Sequence, residues 1–427
     1  MMKKNSFVIQ KKTAVLYFVY IIFVIIAHMN IYSEYFNNTL AIGTILLSGV
    51  FVYKCRKCIP LLFISLFIAY SNYSIAVGIY LFPELRPKYL YPQITDVDVY
   101  GIGIMLIFLL MFSLCVFIKI DIKNMDNIFS TAFIRKENYN SLFFFFLVLI
   151  FLFIMIFGYK RSSNGRGSSS PIYEYNVIIA LLAFYYSGDK KILKYICLAM
   201  TFFYAFTSFL NGTRVEALSV LMIAYICYSS QNISSKTIVI YMVLGIIMFN
   251  FIGAFRGNYS NFGEAYFSVI QNFKDSKFVF DTCTHAYFPS LCMIEQFKRY
   301  NFFRSMHFFF RFLLTIIMGS SRVTDGNLIK YTSLLYYHNG GGVIVGFLYA
   351  WLSYLGPCLF ALLFGFVSKR FFYRAEKKDS DYVAMLYIMC STPRWYLYGP
   401  WAFFRGTLIC LTAFWITIIV NKLIEKK

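Results

Sequence analysis

The chain contains few charged residues, and few of those are acidic. Only 14% of its 427 residues are charged, with 40 Lys and Arg against 19 Asp and Glu. Soluble domains carry about a quarter charged residues, so this composition does not suit a water-exposed surface. The net charge of +21 is spread over loops between apolar runs, and no basic soluble segment stands out. The composition therefore favours a membrane protein and argues against a nucleic-acid partner.

Common catalytic motifs are also missing. The sequence has no Walker A sequence, no Rossmann glycine pattern, no H-E-x-x-H and no G-x-S-x-G. ATP-driven transport and the common hydrolase mechanisms therefore lack support. The four histidines are scattered and do not predict a metal site. We predict no cofactor, neither a metal nor a nucleotide.

Apolar residues dominate the chain instead. Hydrophobic residues make up 59% of it, and the mean hydropathy is +0.64. Backbone polar groups in hydrocarbon need internal partners, and runs such as 143–157 lack the alternation of a barrel strand. We therefore predict an all-α polytopic transmembrane bundle of about 12 spans, with a range of 10 to 14. The predicted spans are 13–33, 38–53, 60–82, 100–118, 140–158, 172–187, 192–210, 215–230, 237–255, 341–367, 382–398 and 402–421.

The positions of the basic residues predict the topology. Four lysines in Met1–Lys12 precede the first apolar run, and no small-residue cleavage site follows Tyr32, a pattern typical of a signal anchor. With the N-terminus inside, 19 of the 25 lysines fall in cytoplasmic segments, as the positive-inside rule requires. Both termini are then cytoplasmic.

Arginines follow the opposite distribution, because 11 of the 15 fall on the outer side. The guanidinium group is a rigid, permanently charged fork that matches phosphate or carboxylate. An outer, arginine-lined vestibule for an anionic ligand is one interpretation. The other is that these arginines pair with lipid headgroups or with the few acidic residues. They are Arg86, Arg161, Arg166, Arg214, Arg256, Arg299, Arg304, Arg311, Arg322, Arg394 and Arg405.

The chain divides by hydropathy into three parts: a membrane bundle at 1–255, a large periplasmic loop at 256–340, and further spans at 341–427. Within the loop, segment 302–319 interleaves phenylalanines with basic residues, which predicts an interfacial or re-entrant helix. Its alternative is an additional span. Cys283 and Cys292 share this loop, so a disulfide between them is possible.

Six residues form the predicted site. Arg214 and Arg256 lie at the outer ends of spans and Arg311 in the aromatic segment, while Arg322 and Asp325 share an irregular polar turn. Together, the arginines would bind an anion, and Asp325 would either orient Arg322 or take part in the chemistry. His338 precedes three glycines, and an imidazole with an ordinary pKa near 6.5 suits a general base. The alternatives are ordinary ones: headgroup contacts, a turn stabilised by Asp and Gly, and a flexible start to a helix.

Asp96 and Asp98 form a D-V-D pair at the outer start of the fourth span. Such a pair suits a divalent cation in some glycosyltransferases. Two carboxylates in a short loop are more commonly solvated, so the pair is not assigned to a metal.

Three short motifs carry a resemblance: N-G-T-R at 211–214, F-R-G at 255–257 and H-N-G-G-G at 338–342. Together with a dozen spans, inside termini and one dominant late outer loop, they resemble the O-antigen polymerase (Wzy-type) family of bacterial inner-membrane glycan polymerases. The outer arginines are scattered here rather than set in two matching loops, so the resemblance does not separate a donor loop from an acceptor loop.

The resemblance implies transfer of a glycan from undecaprenyl diphosphate onto another lipid-linked repeat unit at the periplasmic face. It implies membrane lipids and a chain-length regulator protein as partners, and neither metal nor nucleotide. Three alternatives remain at this stage: an O-antigen ligase, a polysaccharide flippase, and a membrane O-acyltransferase. A flippase is expected to have evenly spaced helices, short loops and charges inside the bundle.

Overall fold

A computed structural model describes most of the chain. It covers residues 18–118, 138–160, 168–169, 171–210, 214–228, 236–241, 243–245, 247, 271, 275–319, 322–338, 340–372 and 378–425. These residues are mainly helical. The extended structure among them is one short antiparallel pair, β1 (Tyr159–Lys160) with β2 (Ser168–Ser169). The predicted all-α architecture is confirmed for the described part of the chain.

The described helices divide between two compact units, each assembled from separate stretches of sequence. The first unit comprises Met1–Val50, Ser71–Ile118 and Asp281–Phe364, and the second comprises Phe51–Tyr70, Lys119–Phe280 and Gly365–Lys427. Helices with residues in the first unit are α1 (Phe18–Met29), α2 (Glu34–Cys55), α3 (Ile59–Ile75, continued by a π-helix at Ala76–Leu81), α4 (Val97–Phe117), α10 (Asp281–Phe297), α11 (Phe302–Met318), α12 (Leu328–Thr332), α13 (Ile344–Leu352) and α14 (Leu355–Phe371).

The remaining helices belong to the second unit, which also takes in the last turn of α2 and most of α3. They are α5 (Ser141–Phe157), α6 (Pro171–Glu174), α7 (Asn176–Tyr186), α8 (Lys191–Leu210), α9 (Arg214–Tyr228), α15 (Asp379–Cys390), α16 (Thr392–Leu397) and α17 (Thr407–Glu425, preceded by a π-helix at Ala402–Gly406).

Several helices are apolar on their exposed faces, as expected of a membrane protein. Four in the described residues are long and apolar enough to cross a bilayer, or five if a bent pair counts as one span. On α5, Phe146, Leu149 and Phe153 are exposed, and on α17 Ile416 and Ile419 are exposed. Contiguous exposed apolar surface of this kind is unfavourable in water and favourable against lipid tails. The apolar helices therefore indicate a membrane protein.

The predicted span 341–367 is not one straight helix, and this expectation is corrected. It consists of α13 and α14, which meet at an angle of 115°. Ser353 sits between them in the left-handed region, with φ of 51°. A Cβ on Gly356 would lie 2.3 Å from the carbonyl oxygen of Leu348, so only glycine allows α14 to start this close to α13.

The core of the first unit is built around α10, which lies within the predicted periplasmic loop. Its residues from Cys283 to Phe297 are buried almost without exception, and it packs against α4, α12 and α13. A helix buried on all sides cannot be recognised from an amphipathic pattern. At Gly346 of α13 an added Cβ would lie 2.7 Å from Cα of Ser290, which shows how closely α10 and α13 approach.

A disulfide between Cys283 and Cys292, which the sequence left open, is excluded by this helix. Both residues lie on α10 and both are buried. Nine residues along an α-helix correspond to about 13 Å, whereas disulfide-linked Cα atoms lie within about 7 Å of each other.

Segment 302–319 forms the expected helix, α11. Asn301 caps it by accepting a hydrogen bond from the backbone N–H of Arg304 at 2.9 Å. Phe308 and Phe312 face the protein, whereas Phe303 and Ile317 are exposed. The exposed face is thus mainly apolar, with Arg304 and His307 also on it, which suits contact with the membrane interface.

Candidate functional site

The structure brings two of the six predicted site residues into contact. Arg311 on α11 and Asp325 in the following turn form an ion pair, with Nη2 and Oδ2 3.4 Å apart. Arg322 lies in the same turn, and its side chain is exposed. Arg311 therefore follows the alternative in which outer arginines pair with nearby carboxylates. Arg299 with Glu295, and Arg394 with Glu174, do the same.

The second pair of predicted arginines is less fully described. Arg214 is the first residue of α9, as the predicted span at 215–230 requires, but its side chain lies outside the described residues. Arg256 lies outside them altogether. Their role in anion binding stays a prediction.

His338 lies half-buried between α12 and α13. Its Nδ1 atom accepts a hydrogen bond from the backbone N–H of Gly340 at 3.2 Å, and its Nε2 atom lies 3.1 Å from Oγ1 of Thr332. Since Nδ1 accepts, the proton of the neutral ring is assigned to Nε2, which donates to Thr332. Burial lowers the pKa of His338. The ring is therefore neutral at pH 7, and Nδ1 can take up a proton only if the Gly340 hydrogen bond breaks.

Sequence analysis missed a cluster of charges around Lys298, just after α10. The Nζ atom of Lys298 lies 2.5 Å from Asp96, 3.2 Å from Asp98 and 3.1 Å from Glu295. Glu295 is buried, Lys298 and Asp98 are largely buried, and Asp96 is half-exposed. The D-V-D pair thus receives a lysine ammonium where a divalent cation had been considered.

These contacts fix the charges of the cluster. Burial opposes the charge of Lys298, but hydrogen bonds to Asp96, Glu295 and Asp98 outweigh it and raise its pKa well above the usual value. The hydrogen bond from Lys298 lowers the pKa of Asp96. The pair is therefore ionised throughout the neutral range. Its contribution to stability is lost only as pH falls through the lowered pKa of Asp96 or rises through the raised pKa of Lys298.

A cavity of about 600 Å³ lies within the first unit. Its wall combines cations, carboxylates, amides and tyrosines, and is formed by the start of α2, the π-helix after α3, and the segment that leads into α4. The lining residues are Glu34, Asn37, Asn38, Tyr80, Pro83, Glu84, Arg86, Lys88, Tyr91, Pro92, Ile94, Thr95, Val97 and Tyr100. Ligand sites usually have about 300 to 1,000 Å³, so this volume is suitable for a small organic ligand.

The walls of this cavity are held by tyrosine hydrogen bonds. Tyr80 donates to the carbonyl oxygen of Tyr100 at 2.8 Å, and its hydroxyl also lies 2.6 Å from that of Tyr287. Tyr91 donates to the carbonyl of Thr284 at 2.6 Å. Both Tyr287 and Thr284 belong to α10, so the buried helix supports the cavity from behind.

This cavity lies at the ends of three apolar helices. It is lined by Glu34 and Val97, the first residues of α2 and α4, and by the residues that follow α3. Lysines lie at the other ends: Lys54 in the last turn of α2, Lys57 between α2 and α3, and Lys119 after α4. Under the positive-inside rule lysine-rich ends are expected to be cytoplasmic, which would put the cavity on the outer side; this orientation stays a prediction.

No protein-family model matches this chain, and no curated protein or solved structure matches it either. Its function must therefore be argued from the site. Two of the features found were beyond sequence reasoning. Lys298 had no recognisable partner in the sequence, although its i,i+3 spacing from Glu295 is a weak signal, and nothing marked Asn37 as part of a cavity wall.

Proposed function

We propose that this protein is a glycosyltransferase of the bacterial inner membrane. It would transfer undecaprenyl-diphosphate-linked oligosaccharide onto another lipid-linked repeat unit at the periplasmic face. We further propose about 12 spans, cytoplasmic termini and a large periplasmic segment at 256–340. The observation that carries the proposal is the cavity at the ends of α2, α3 and α4, which combines Arg86 and Lys88 with tyrosines and lies opposite the lysine-rich ends of these helices.

The reaction places modest demands on the protein. The acceptor hydroxyl oxygen attacks the anomeric carbon of the donor, the bond to the diphosphate oxygen breaks, and diphosphate leaves with the electron pair. Fixed cations stabilise the charge on the leaving group, and a base takes the hydroxyl proton. In this proposal Arg214, Arg256, Arg322 and Arg311 supply the cations, with Asp325 orienting Arg311. His338 is the proposed base, and Nδ1 becomes available when Gly340 moves away.

A lipid-linked substrate fits the position of the cavity. Its prenyl chain stays among the apolar helices, while the diphosphate and sugars project from the membrane surface. The apolar exposed face of α11 adds a lipid-contacting surface in the same unit. Other proposed partners are the surrounding lipids and a chain-length regulator protein, and no cofactor is proposed.

A polysaccharide flippase is the second candidate, and the charges of Lys298, Glu295, Asp96 and Asp98 are the observation that favours it. A transporter places buried charges near the middle of the bilayer. Here the cluster lies at the first residue of α4 and not halfway along it. This position suits chemistry at a membrane surface better than passage through the membrane.

The decisive experiment is reconstitution of the purified protein in liposomes with an undecaprenyl-diphosphate-linked repeat unit. The proposal expects a ladder of longer lipid-linked glycans, unchanged by a metal chelator. Absence of elongation would reject it. In cells, loss of a polymerase leaves single-repeat glycans on the surface, loss of a ligase leaves polymer on the lipid carrier, and loss of a flippase retains the repeat unit inside.

A further inference from the structure

We infer that the cavity at the start of α2 and α4 binds a saccharide that carries an acidic group, with the anion on Arg86 and sugar hydroxyls on Asn37 and the neighbouring glutamates. This inference rests on the proposed function and adds the substrate class to it.

The contacts of Arg86 orient its guanidinium group for binding an anion. Its Nε atom donates to the carbonyl oxygen of Ile79 at 2.8 Å, and its guanidinium carbon lies 4.9 Å from the ring centroid of Tyr100. These two contacts fix the plane of the group. The terminal nitrogens form the edge that carboxylate and phosphate bind with two parallel hydrogen bonds.

Asn37 is the second, independent observation. Its side chain is only 4% exposed, and its Nδ2 atom donates to the carbonyl oxygen of Ile31 at 3.1 Å. Its Oδ1 atom has no hydrogen-bond partner within the described residues, although the residue lies in the cavity wall. A buried acceptor without a donor is energetically unfavourable. Because Oδ1 is itself enclosed, the Asn37 side chain must turn toward the cavity before a ligand hydroxyl can donate to Oδ1 and remove this penalty.

The other charges of the wall favour a sugar over a bare anion. Arg86 and Lys88 are cationic, whereas Glu34 and Glu84 are anionic, so the four formal charges cancel. The carboxylates offer inorganic phosphate no favourable interaction. Sugar hydroxyls both donate and accept, so they can use carboxylates and cations together. Tyr100, which is half-buried in the cavity wall, supplies apolar surface for the sugar ring.

The different burial of the cationic and anionic side chains also favours binding of an anion. Arg86 is half-buried against Tyr100, whereas Glu34 and Glu84 are exposed. Exposed charges are screened by water and salt, so the field inside the cavity is dominated by the guanidinium. The acidic group has two chemical sources, the carboxylate of a sugar acid in the repeat unit or the phosphate on the anomeric carbon of the donor.

The test is direct binding to the full-length protein in nanodiscs, measured by saturation-transfer NMR with glucose, glucuronic acid, glucose 1-phosphate and inorganic phosphate. Both acidic sugars are expected to bind more tightly than glucose and than phosphate. The tighter of the two identifies the source of the anion. Equal binding of glucose and the acidic sugars would overturn the inference, and so would phosphate binding as tightly as glucose 1-phosphate.

Variants locate the site. Arg86→Ala is expected to weaken the acidic sugars about tenfold to hundredfold and leave glucose unchanged. Asn37→Ala should weaken all three sugars alike. Arg56→Ala is the matched control, because Arg56 also donates to a backbone carbonyl, that of Tyr53, and stacks on a tyrosine ring. An equal effect of Arg86→Ala and Arg56→Ala would reject the site.

Two further outcomes are informative. If Arg86→Ala does not fold, the exposed Lys88 replaces it, and Lys88→Ala must weaken the acidic sugars about twofold to fivefold. Glycan elongation without Arg86-dependent sugar binding would reject this inference and leave the proposed function standing. Arg86-dependent binding without elongation would reject the proposed function and leave this inference standing.

Discussion

Lys298 contacts Asp96 at 2.5 Å, although the two residues are 202 positions apart in the sequence. The contact joins the end of α10 to the residue before α4. Asp98 and Glu295 share the same ammonium, so one positive charge contacts three carboxylates at this junction. Lys298 therefore helps to hold the end of α10 against the start of α4, together with the hydrogen bonds that Tyr80 and Tyr91 make to α10.

Replacing this lysine is expected to destabilise the protein. Lys298→Ala should lower the free energy of unfolding by about 2 kcal/mol, because it removes the counter-charge of the largely buried Asp98 and leaves the buried Glu295 with only the exposed Arg299. The measurement is chemical or thermal unfolding in detergent. Arg299→Ala is the matched control, because that guanidinium is 73% exposed and surface ion pairs contribute about 0 to 1 kcal/mol. Equal losses for the two variants would show that the cluster is not held by Lys298.

Acidification is expected to destabilise the protein through His338. Burial lowers the pKa of this residue in the folded state, so the unfolded chain binds the proton more readily. Its contribution to stability is complete above the unfolded pKa of about 6.5 and is lost as pH falls toward the lowered folded value. Melting temperatures at pH 7.5 and 5.5 should therefore differ less in His338→Gln than in the wild type. His307, whose side chain is exposed, supplies the control: His307→Gln should keep the wild-type difference.

The proposed diphosphate contacts can be tested in cells. Arg214→Ala or Arg256→Ala should leave the protein inserted but reduce the surface polysaccharide to single-repeat length. Removing one fixed donor to a developing charge typically slows a reaction about 10²-fold to 10³-fold. Glycan length is measured by gel electrophoresis and insertion by immunoblotting of membranes. Long chains of wild-type length in both variants would remove these arginines from the site.

The proposed outer position of the cavity predicts that its wall can be labelled from outside the cell. Lys88→Cys should react with a membrane-impermeant maleimide in intact cells, because Lys88 is exposed in the cavity wall. Lys54→Cys, exposed near the other end of α2, should react only after permeabilisation. Background labelling of native cysteines is expected to be low, because the nine described cysteines are buried. Reversed labelling would place the cavity in the cytoplasm and contradict the proposed function.

A reporter fusion checks the downstream part of the same topology. A periplasmic phosphatase fused near Asp275 should be active, and one fused near Lys378 inactive. The opposite pattern would reverse the side on which most of the arginines lie.

Hydropathy predicted many helices because a bilayer imposes a length on them. The runs 100–118 and 140–158 became Val97–Phe117 and Ser141–Phe157, within three residues at every end. The same method failed at 341–367, because a break in a helix depends on close backbone packing at Gly356 and not on mean hydropathy. It also missed α10, whose polar first turn resembles a loop until α4 and α13 bury it.

The site was less accessible from sequence than the fold. Asp96 and Asp98 were recognised as a pair of carboxylates, but their partner is 200 or more positions away, and no local pattern encodes such a contact. Asn37 looks like any asparagine in an apolar helix. Only the three-dimensional arrangement shows that it lines a cavity and that its Oδ1 atom has no donor there.

The bend between α13 and α14 has a consequence for the first helix. Tyr20 of α1 donates its hydroxyl hydrogen to the backbone carbonyl of Tyr354 at 2.6 Å, and Nδ1 of His28 lies 2.8 Å from the hydroxyl of Tyr354. In an apolar environment the interrupted backbone needs such donors from elsewhere. Helix α1 thus stabilises a helix break 334 positions further along the chain. Proteolytic removal of α1 after insertion would leave the carbonyl of Tyr354 without its donor.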